Sequence, residues 1–355
     1  MLMAMNTTVS PRSAPFDIAT RCWVITDGAA GTETQCLGLA EALGLTPAVK
    51  RIQVRAPWRW LPPELWANPI AALSGEGDTL APPWPDMVIA SGRKSAAPAL
   101  AVRRATEGRA FTIQIQDPRM PLDDFDLVVV PHHDGLSGDN VIATTGALTR
   151  ITPARLTEGA AAIADRAAAL PAPRVAVLVG GRSKGHDLRP AQAARLGRDL
   201  ADLCARTGGS VLVTTSRRTP APAADALAEA LSGPLADKRA WLWRADRPGE
   251  GAGAANPYLG FLAWADHIVV TAESVTMASE AASTGKPVYV VPLEGGRAKF
   301  ERFHRDLRAR GITRPFDGTL ATWTYPPLAE SERVAAIVRA RQPGKTARGA
   351  AAEAG

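Results

Sequence analysis

Several segments of the sequence bring glycine, hydroxyl and charged side chains to the point where an apolar run hands over to a helix. That is where α/β sheets meet their ligands. The most informative runs Ala272-Glu273-Ser274-Val275-Thr276-Met277-Ala278-Ser279-Glu280-Ala281-Ala282, followed by Gly285-Lys286-Pro287. Helical spacing puts Val275, Ala278 and Ala282 on one packed face and Thr276 with Glu280 on another. Ser274 and the first-turn amides can meet a diphosphate. Glu280, one turn on, can accept hydrogen bonds from two adjacent ribose hydroxyls. Gly180-Gly181-Arg182-Ser183-Lys184-Gly185-His186 offers glycines, two cations and a hydroxyl, the makings of a diphosphate cradle. Its lysine lacks the spacing of a Walker A loop. Thr214-Thr215-Ser216-Arg217-Arg218-Thr219-Pro220 either clamps phosphate through Thr215, Ser216 and Arg217 or only caps the next helix. Asn256-Pro257-Tyr258 contacts a base through Asn256 and Tyr258 or simply starts a helix, since Pro suits a first turn.

The first half carries Asp27-Gly28-Ala29-Ala30-Gly31-Thr32-Glu33-Thr34-Gln35. Gly28 and Gly31 permit a tight turn and close approach of a ligand. Thr32 with Gln35 matches a capping box, which predicts a helix start at Glu33. The glycine spacing is not that of a dinucleotide fingerprint, which argues against NAD. Ser91-Gly92-Arg93-Lys94-Ser95 suits a phosphate or acidic ligand, or a capped helix with surface cations. His132-His133-Asp134 has adjacent histidines pointing apart and no third ligand in view, so no metal is expected.

These segments need sheets to hold them. Apolar runs at Cys22–Thr26, Met87–Ala90, Phe111–Ile115, Leu127–Val130 and Val141–Thr144 predict strands buried on both faces. A second set follows at Val175–Val179, Val211–Thr214, Ala240–Trp243, Ile268–Val270 and Val288–Val291, spaced by helix-sized segments such as Pro190–Ala205 and Ala221–Leu231. A helical stretch Ala154–Leu170 is expected just after the join. Two such sets in series predict an α/β fold of two Rossmann-like domains with parallel sheets facing a cleft. The expected divisions are a flexible leader over 1–20, an N-terminal domain over 21–150, a C-terminal domain over 151–318, a C-terminal helix region over 319–340 and a disordered tail over 341–355. The Trp-rich region 57–85 reads as an insertion packed on the first domain, or as an acceptor or partner surface.

The 355 residues suit two cores, and 46% hydrophobic against 21% charged residues is a globular composition. The net charge of +6 is scattered, without the basic, aromatic-interleaved face of a nucleic-acid binder. Three cysteines, Cys22, Cys36 and Cys204, fit no disulfide or zinc pattern. They read as small buried residues in a reducing compartment, and cytoplasmic placement is expected. No apolar stretch approaches the ~20 residues of a membrane span. Phe300 and Phe303 with their arginines offer peripheral membrane contact, though a cationic helix covering the second domain is the preferred reading.

The segments DGAAGTETQCLGLAEAL, GGRSKGH, TTSRR, NPY, AESVTMASEAASTGKPVYV and KFERFHRDL resemble the mitochondrial-fission "elongated mitochondria" family over roughly Trp23 to Phe316. That family is similar to GT-B glycosyltransferases, including the type that adds N-acetylglucosamine to a lipid-linked precursor. The resemblance implies a C-terminal donor domain, with the Glu273–Glu280 helix against a nucleotide diphosphate and Glu280 on the ribose. It implies metal-independent sugar transfer with no cofactor beyond the nucleotide sugar as substrate. The donor-side residues are then Gly180, Gly181, Arg182, Ser183, Lys184, Thr215, Ser216, Arg217, Asn256, Tyr258, Glu273, Ser274, Val275, Thr276, Met277 and Glu280. The acceptor side comprises Gly28, Gly31, Thr32, Ser91, Gly92, Arg93 and Lys94, with Asp27 or Glu33 as base for the acceptor hydroxyl. The acceptor itself is open and includes lipid-linked or membrane-associated molecules. The family commonly has a basic residue, His and Asn where this chain has Ala29, Thr32 and Thr34. Its plant members recruit a dynamin-like protein, which implies a protein-binding adaptor as the alternative; a nucleotide-sugar epimerase is the third.

Overall fold

The computed structural model describes residues 19–182, 185, 187–236, 238–247, 256–295 and 298–341. Most of the expected leader and tail, with Ser183, Lys184 and His186, lies outside the described residues. The strands are β1 (Cys22–Thr26), β2 (Ala48–Arg51), β3 (Met87–Ser91), β4 (Phe111–Ile115), β5 (Leu127–Pro131), β6 (Val141–Thr144), β7 (Arg174–Val179), β8 (Ser210–Thr215), β9 (Ala240–Trp243), β10 (His267–Thr271), β11 (Val288–Val291) and β12 (Thr313–Pro315). The helices are α1 (Ala30–Ala42), α2 (Arg93–Ala105), α3 (Pro153–Ala162), α4 (Ala164–Ala168), α5 (Pro190–Thr207), α6 (Ala221–Ala230), α7 (Ser232–Ala236), α8 (Tyr258–Trp264), α9 (Val275–Ala282), α10 (Ala298–Ala309) and α11 (Glu330–Arg341).

Two six-stranded sheets result, with orders β2-β1-β3-β4-β5-β6 and β12-β11-β10-β7-β8-β9. β1 pairs in parallel with β2 and β3, and β7 with β8 and β10. Each winding starts at an inner strand, runs one way, then resumes on the other side. The reversal falls between β1 and β3 in the first sheet and between β7 and β10 in the second. Side chains of the second sheet are buried on both faces: Leu178, Leu212, Ile268 and Val270 pack on one side, and Val177, Val179, Val211, Val213 and Val269 on the other. The first sheet buries Trp23, Ile25, Val88 and Ala90 with Ile52, Ala99 and Val102. Burial on both faces explains runs that are apolar throughout.

The chain divides into two compact units. The first reaches to Val129 and takes in Gly138–Ile142 and the chain from Ser331; the second comprises Val130–Ser137 and Ala143–Glu330. Helix α11 thus belongs with the first unit, where Arg339 donates to the Ala42 carbonyl and Arg341 to that of Asp139 (2.8 Å).

The structure corrects several sequence expectations. The single stretch Ala154–Leu170 is two helices, because Ile163 leaves helical geometry with φ −125°. Its side chain fills the space a Cβ at Gly260 would need, 2.6 Å away, and so closes α3 onto α8. Phe303 is buried in the second unit's core and cannot touch a membrane. In the Trp-rich region, Trp66 packs with Ala72 and Ala97, and Trp84 lies on Trp23 with ring centroids 5.8 Å apart. Trp60 remains 66% exposed. All three cysteines are free and buried. No helix among the described residues is long and apolar enough to cross a membrane.

Candidate functional site

In the second unit, the loops after β7, β8 and β10 converge at the reversal. Gly180 N–H donates to Thr271 Oγ1 (2.9 Å), Arg182 N–H to the Arg218 carbonyl (2.9 Å) and Thr219 Oγ1 to the Gly180 carbonyl (2.5 Å). The Gly180 and Arg182 amides are therefore spent inside the protein. Both glycines are required by packing: a Cβ at Gly180 would lie 1.6 Å from Glu273 Oε1, and one at Gly181 2.0 Å from the Arg218 carbonyl oxygen. The Gly180 amide expected at a diphosphate is thus engaged by Thr271, and the bareness of both glycines lets three loops close on one another.

The hydroxyls of the loop after β8 are likewise engaged within the protein. Thr215 is buried and its Oγ1 accepts from the Ala245 amide (3.0 Å). Ser216 Oγ accepts from the Arg218 amide (3.2 Å) and its own amide donates to the Val179 carbonyl (2.9 Å). What the loop presents outward is cationic. Arg217 and Arg218 are exposed, as is Arg182, which reaches Asp187 at 3.5 Å.

Helix α9 starts where expected, with Ser274 as N-cap. Ser274 Oγ accepts from the Met277 amide (3.3 Å) and is buried, so that amide is taken by the cap. The amides of Val275 and Thr276 have no partner among the described residues. Ala278, Ser279, Ala281 and Ala282 form the packed face. Glu280 accepts from the Tyr258 hydroxyl at 2.5 Å. Burial pushes the Glu280 carboxyl up to about 7, against the Tyr258 hydrogen bond and the field of Arg155. Asn256 Oδ1 accepts from the Tyr258 amide (3.1 Å), which favours the helix-starting role over a base contact.

In the first unit, Asp27 and Gly28 follow β1 while Gly92, Arg93 and Lys94 follow β3, again flanking a reversal. Lys94 Nζ reaches Asp27 Oδ2 at 3.4 Å. Helix α1 begins at Ala30, three residues before the expected start, with Ala29 as N-cap and no capping side chain. Thr32 Oγ1 instead donates to the Ala29 carbonyl (2.8 Å), and Gln35 Nε2 to the Gly31 carbonyl (3.0 Å). Gly31 thus lies within the helix rather than in the turn. The turn glycines are Gly28 and Gly92, with φ +78° and +80°. Ser91 is buried. Arg51 grips Glu33 through two hydrogen bonds of 2.8 Å. Both Glu33 carboxylate oxygens are engaged by Arg51, which favours Asp27 over Glu33 as the candidate base.

Sequence reasoning missed Thr271 and Thr219, which knit the loops, and His304, whose Nε2 donates to the Ala272 carbonyl at 2.6 Å. A hydroxyl at the last residue of β10 and another just before Pro220 were the available signals.

Two six-stranded α/β sheets, each offering a strand-order reversal at its carboxyl edge, make this a GT-B-like protein. The fold is shared with the UDP-GlcNAc 2-epimerase from Methanocaldococcus jannaschii, at a TM-score of 0.52 and 10% identity, covering 90% of this chain and 99% of that one. The chain belongs to the family Mitochondrial fission ELM1, matched over residues 30–342. It is 31% identical to the mitochondrial fission protein ELM1 of Arabidopsis thaliana, over 91% of both chains. It is 27% identical to the uncharacterized protein RP120 of Rickettsia prowazekii, over 72% of this chain and 79% of the relative.

Proposed function

We propose that this chain binds a nucleoside-diphosphate sugar at the reversal of its second sheet and transfers the sugar to an acceptor. One observation carries the reading. At the β7/β10 reversal the Val275 and Thr276 amides have no partner among the described residues, and the loops after β7 and β8 carry the exposed Arg182, Arg217 and Arg218. Open amides at a positive helix end, with guanidinium groups nearby, suit a diphosphate. The same groups would stabilise the charge that grows on the departing diphosphate during transfer, so the mechanism calls on no metal. Glu280, steadied by Tyr258, would hold the ribose. Asp27 in the first unit, not Glu33, would take the acceptor's proton. The epimerase that shares the fold is named for a UDP-sugar substrate, which supports the donor class.

The test is thermal denaturation of the full chain with a panel of UDP-, ADP-, GDP- and dTDP-sugars. A ligand selective for the native state raises its apparent stability. One member should raise the midpoint, and Arg217→Ala should shrink that rise at the same ligand concentration without changing the unliganded midpoint. No shift with any member overturns the reading.

A protein-binding adaptor is the second reading. It is favoured by Trp60 and Leu65, 66% and 61% exposed, with Arg59 stacked 4.5 Å over the Trp60 ring. A donor that binds without hydrolysis or transfer to any acceptor would favour it.

A further inference from the structure

We infer that a diphosphate entering the second crevice drives a proton onto Glu273, so that the site takes up its ligand together with H⁺. The inference rests on the donor reading above. Glu273 is 3% exposed, and its Oε1 occupies the space beside Gly180 at the end of β7. Oε1 accepts from Thr271 Oγ1 (3.1 Å), while Oε2 is buried with no hydrogen-bond partner among the described residues. A buried carboxylate oxygen without a donor is costly, and protonation relieves the cost.

The groups facing this carboxyl come from each surrounding element. From β10 there is the Thr271 hydroxyl, and from the loop after β7 the Gly180 and Gly181 backbone. The loop after β8 contributes Arg218, whose field helps hold the carboxylate ionised. Behind the turn, from α10, His304 holds the Ala272 carbonyl. Desolvation already pushes the Glu273 carboxyl upward against these hydrogen bonds and Arg218.

A bound diphosphate alters two of these influences in the same direction. The Val275 and Thr276 amides that would receive the phosphate lie two and three residues along the chain from Glu273. The phosphate's negative charge opposes the carboxylate, and an Arg218 that turns to the phosphate withdraws its counter-charge. Together these move the titration further up. The diphosphate of a nucleotide sugar lacks the terminal phosphate ionisation near pH ~6, so the proton is bound by the protein. The O–H bond forms on the Glu273 carboxylate, the proton comes from solvent, and no ligand bond breaks.

The experiment is isothermal titration calorimetry of the full chain with the same sugar-nucleotide panel, in two buffers of different ionisation enthalpy, from pH 6 to 8. We expect net proton uptake per ligand bound and an affinity that weakens up to tenfold per pH unit on the alkaline side. Glu273→Gln should bind with no uptake, a flat profile and tighter affinity than the parent at pH 8. Binding by the parent without uptake overturns the inference and leaves the donor reading standing. Uptake that survives in Glu273→Gln also overturns it, passing the proton to another group such as His304. No binding by any panel member removes the reading and the inference together. Should the variant not fold, the parent's two-buffer comparison decides, since a flat pH profile without uptake contradicts the proposal.

Discussion

Both sheets reverse direction beside their first strand, yet the two crevices are furnished differently. In the first unit the reversal holds Asp27 and Lys94, 3.4 Å apart, which neutralise each other. Its turn glycines have open surroundings: a Cβ at Gly28 would meet nothing within 4 Å. In the second unit, three loops are locked together through Gly180, Gly181, Thr219, Thr271 and Glu273. Above that lock stand exposed arginines and two open amides. A charge pair in an open turn suits proton exchange with a neutral hydroxyl. A rigid, cationic, amide-bearing turn suits a fixed anion. The same topology is therefore specialised by which polar groups are already satisfied within the protein.

Substitutions at the glycines separate the crevices most sharply. Gly181→Ala forces a methyl against the Arg218 carbonyl, and Gly180→Ala forces one into the Glu273 carboxylate. Gly181→Ala, against backbone, should cost about 3 kcal/mol, and Gly180→Ala, against a carboxylate that can move, less, both read in chemical denaturation. Gly28→Ala meets only its left-handed φ and should cost about 1–2 kcal/mol. Equal costs would erase the contrast.

Charge removal comes next. Arg217→Ala should weaken nucleotide-sugar binding about tenfold, roughly 1.4 kcal/mol, whereas Lys94→Ala should leave donor affinity unchanged by calorimetry. The reverse pattern would move the anion site to the first unit.

The Tyr258–Glu280 pair gives a pH signature confined to the second unit. The Glu280 carboxyl is raised in the folded state to about 7 from 4.5, so the native protein binds more protons across that window. Its contribution to stability is present in full below pH ~4.5 and is lost as pH rises through ~7, by about 3 kcal/mol. Glu280→Gln should flatten that segment of the stability–pH curve. Smallest is Glu33→Gln, which loses an exposed Arg51 pair, should leave stability almost unmoved and should leave any transfer rate unchanged, while Asp27→Asn should lower that rate at least a hundredfold.

Much of this architecture was legible because strands buried on both faces spell themselves as unbroken apolar runs. β1, β4, β6, β9 and β11 match their expected ranges to the residue. The edge strands did not announce themselves. β2 reads Ala-Val-Lys-Arg and is half to fully exposed, and β12 is three residues long. Missing β2 hid Arg51, and with it the fate of Glu33. The apparent capping box at Thr32 and Gln35 was misleading, because Asp27 and the Ala29 carbonyl offer Thr32 closer partners. The α9 segment was readable as a helix start with Ser274 as cap, and Tyr258 and Glu280 were both singled out, though not as a pair. What Gly180 and Gly181 are for was not readable, since the atoms that need their bareness, on Arg218 and Glu273, lie tens of residues further along the chain.

The central claim is tested most directly by crystals of the full chain soaked with a nucleotide sugar selected by the thermal screen. The account predicts diphosphate oxygens within hydrogen-bond distance of the Val275 and Thr276 amides and of Arg217, with a ribose hydroxyl on Glu280. A ligand seated instead beside Asp27 and Lys94, with the α9 amides left to water, would contradict it.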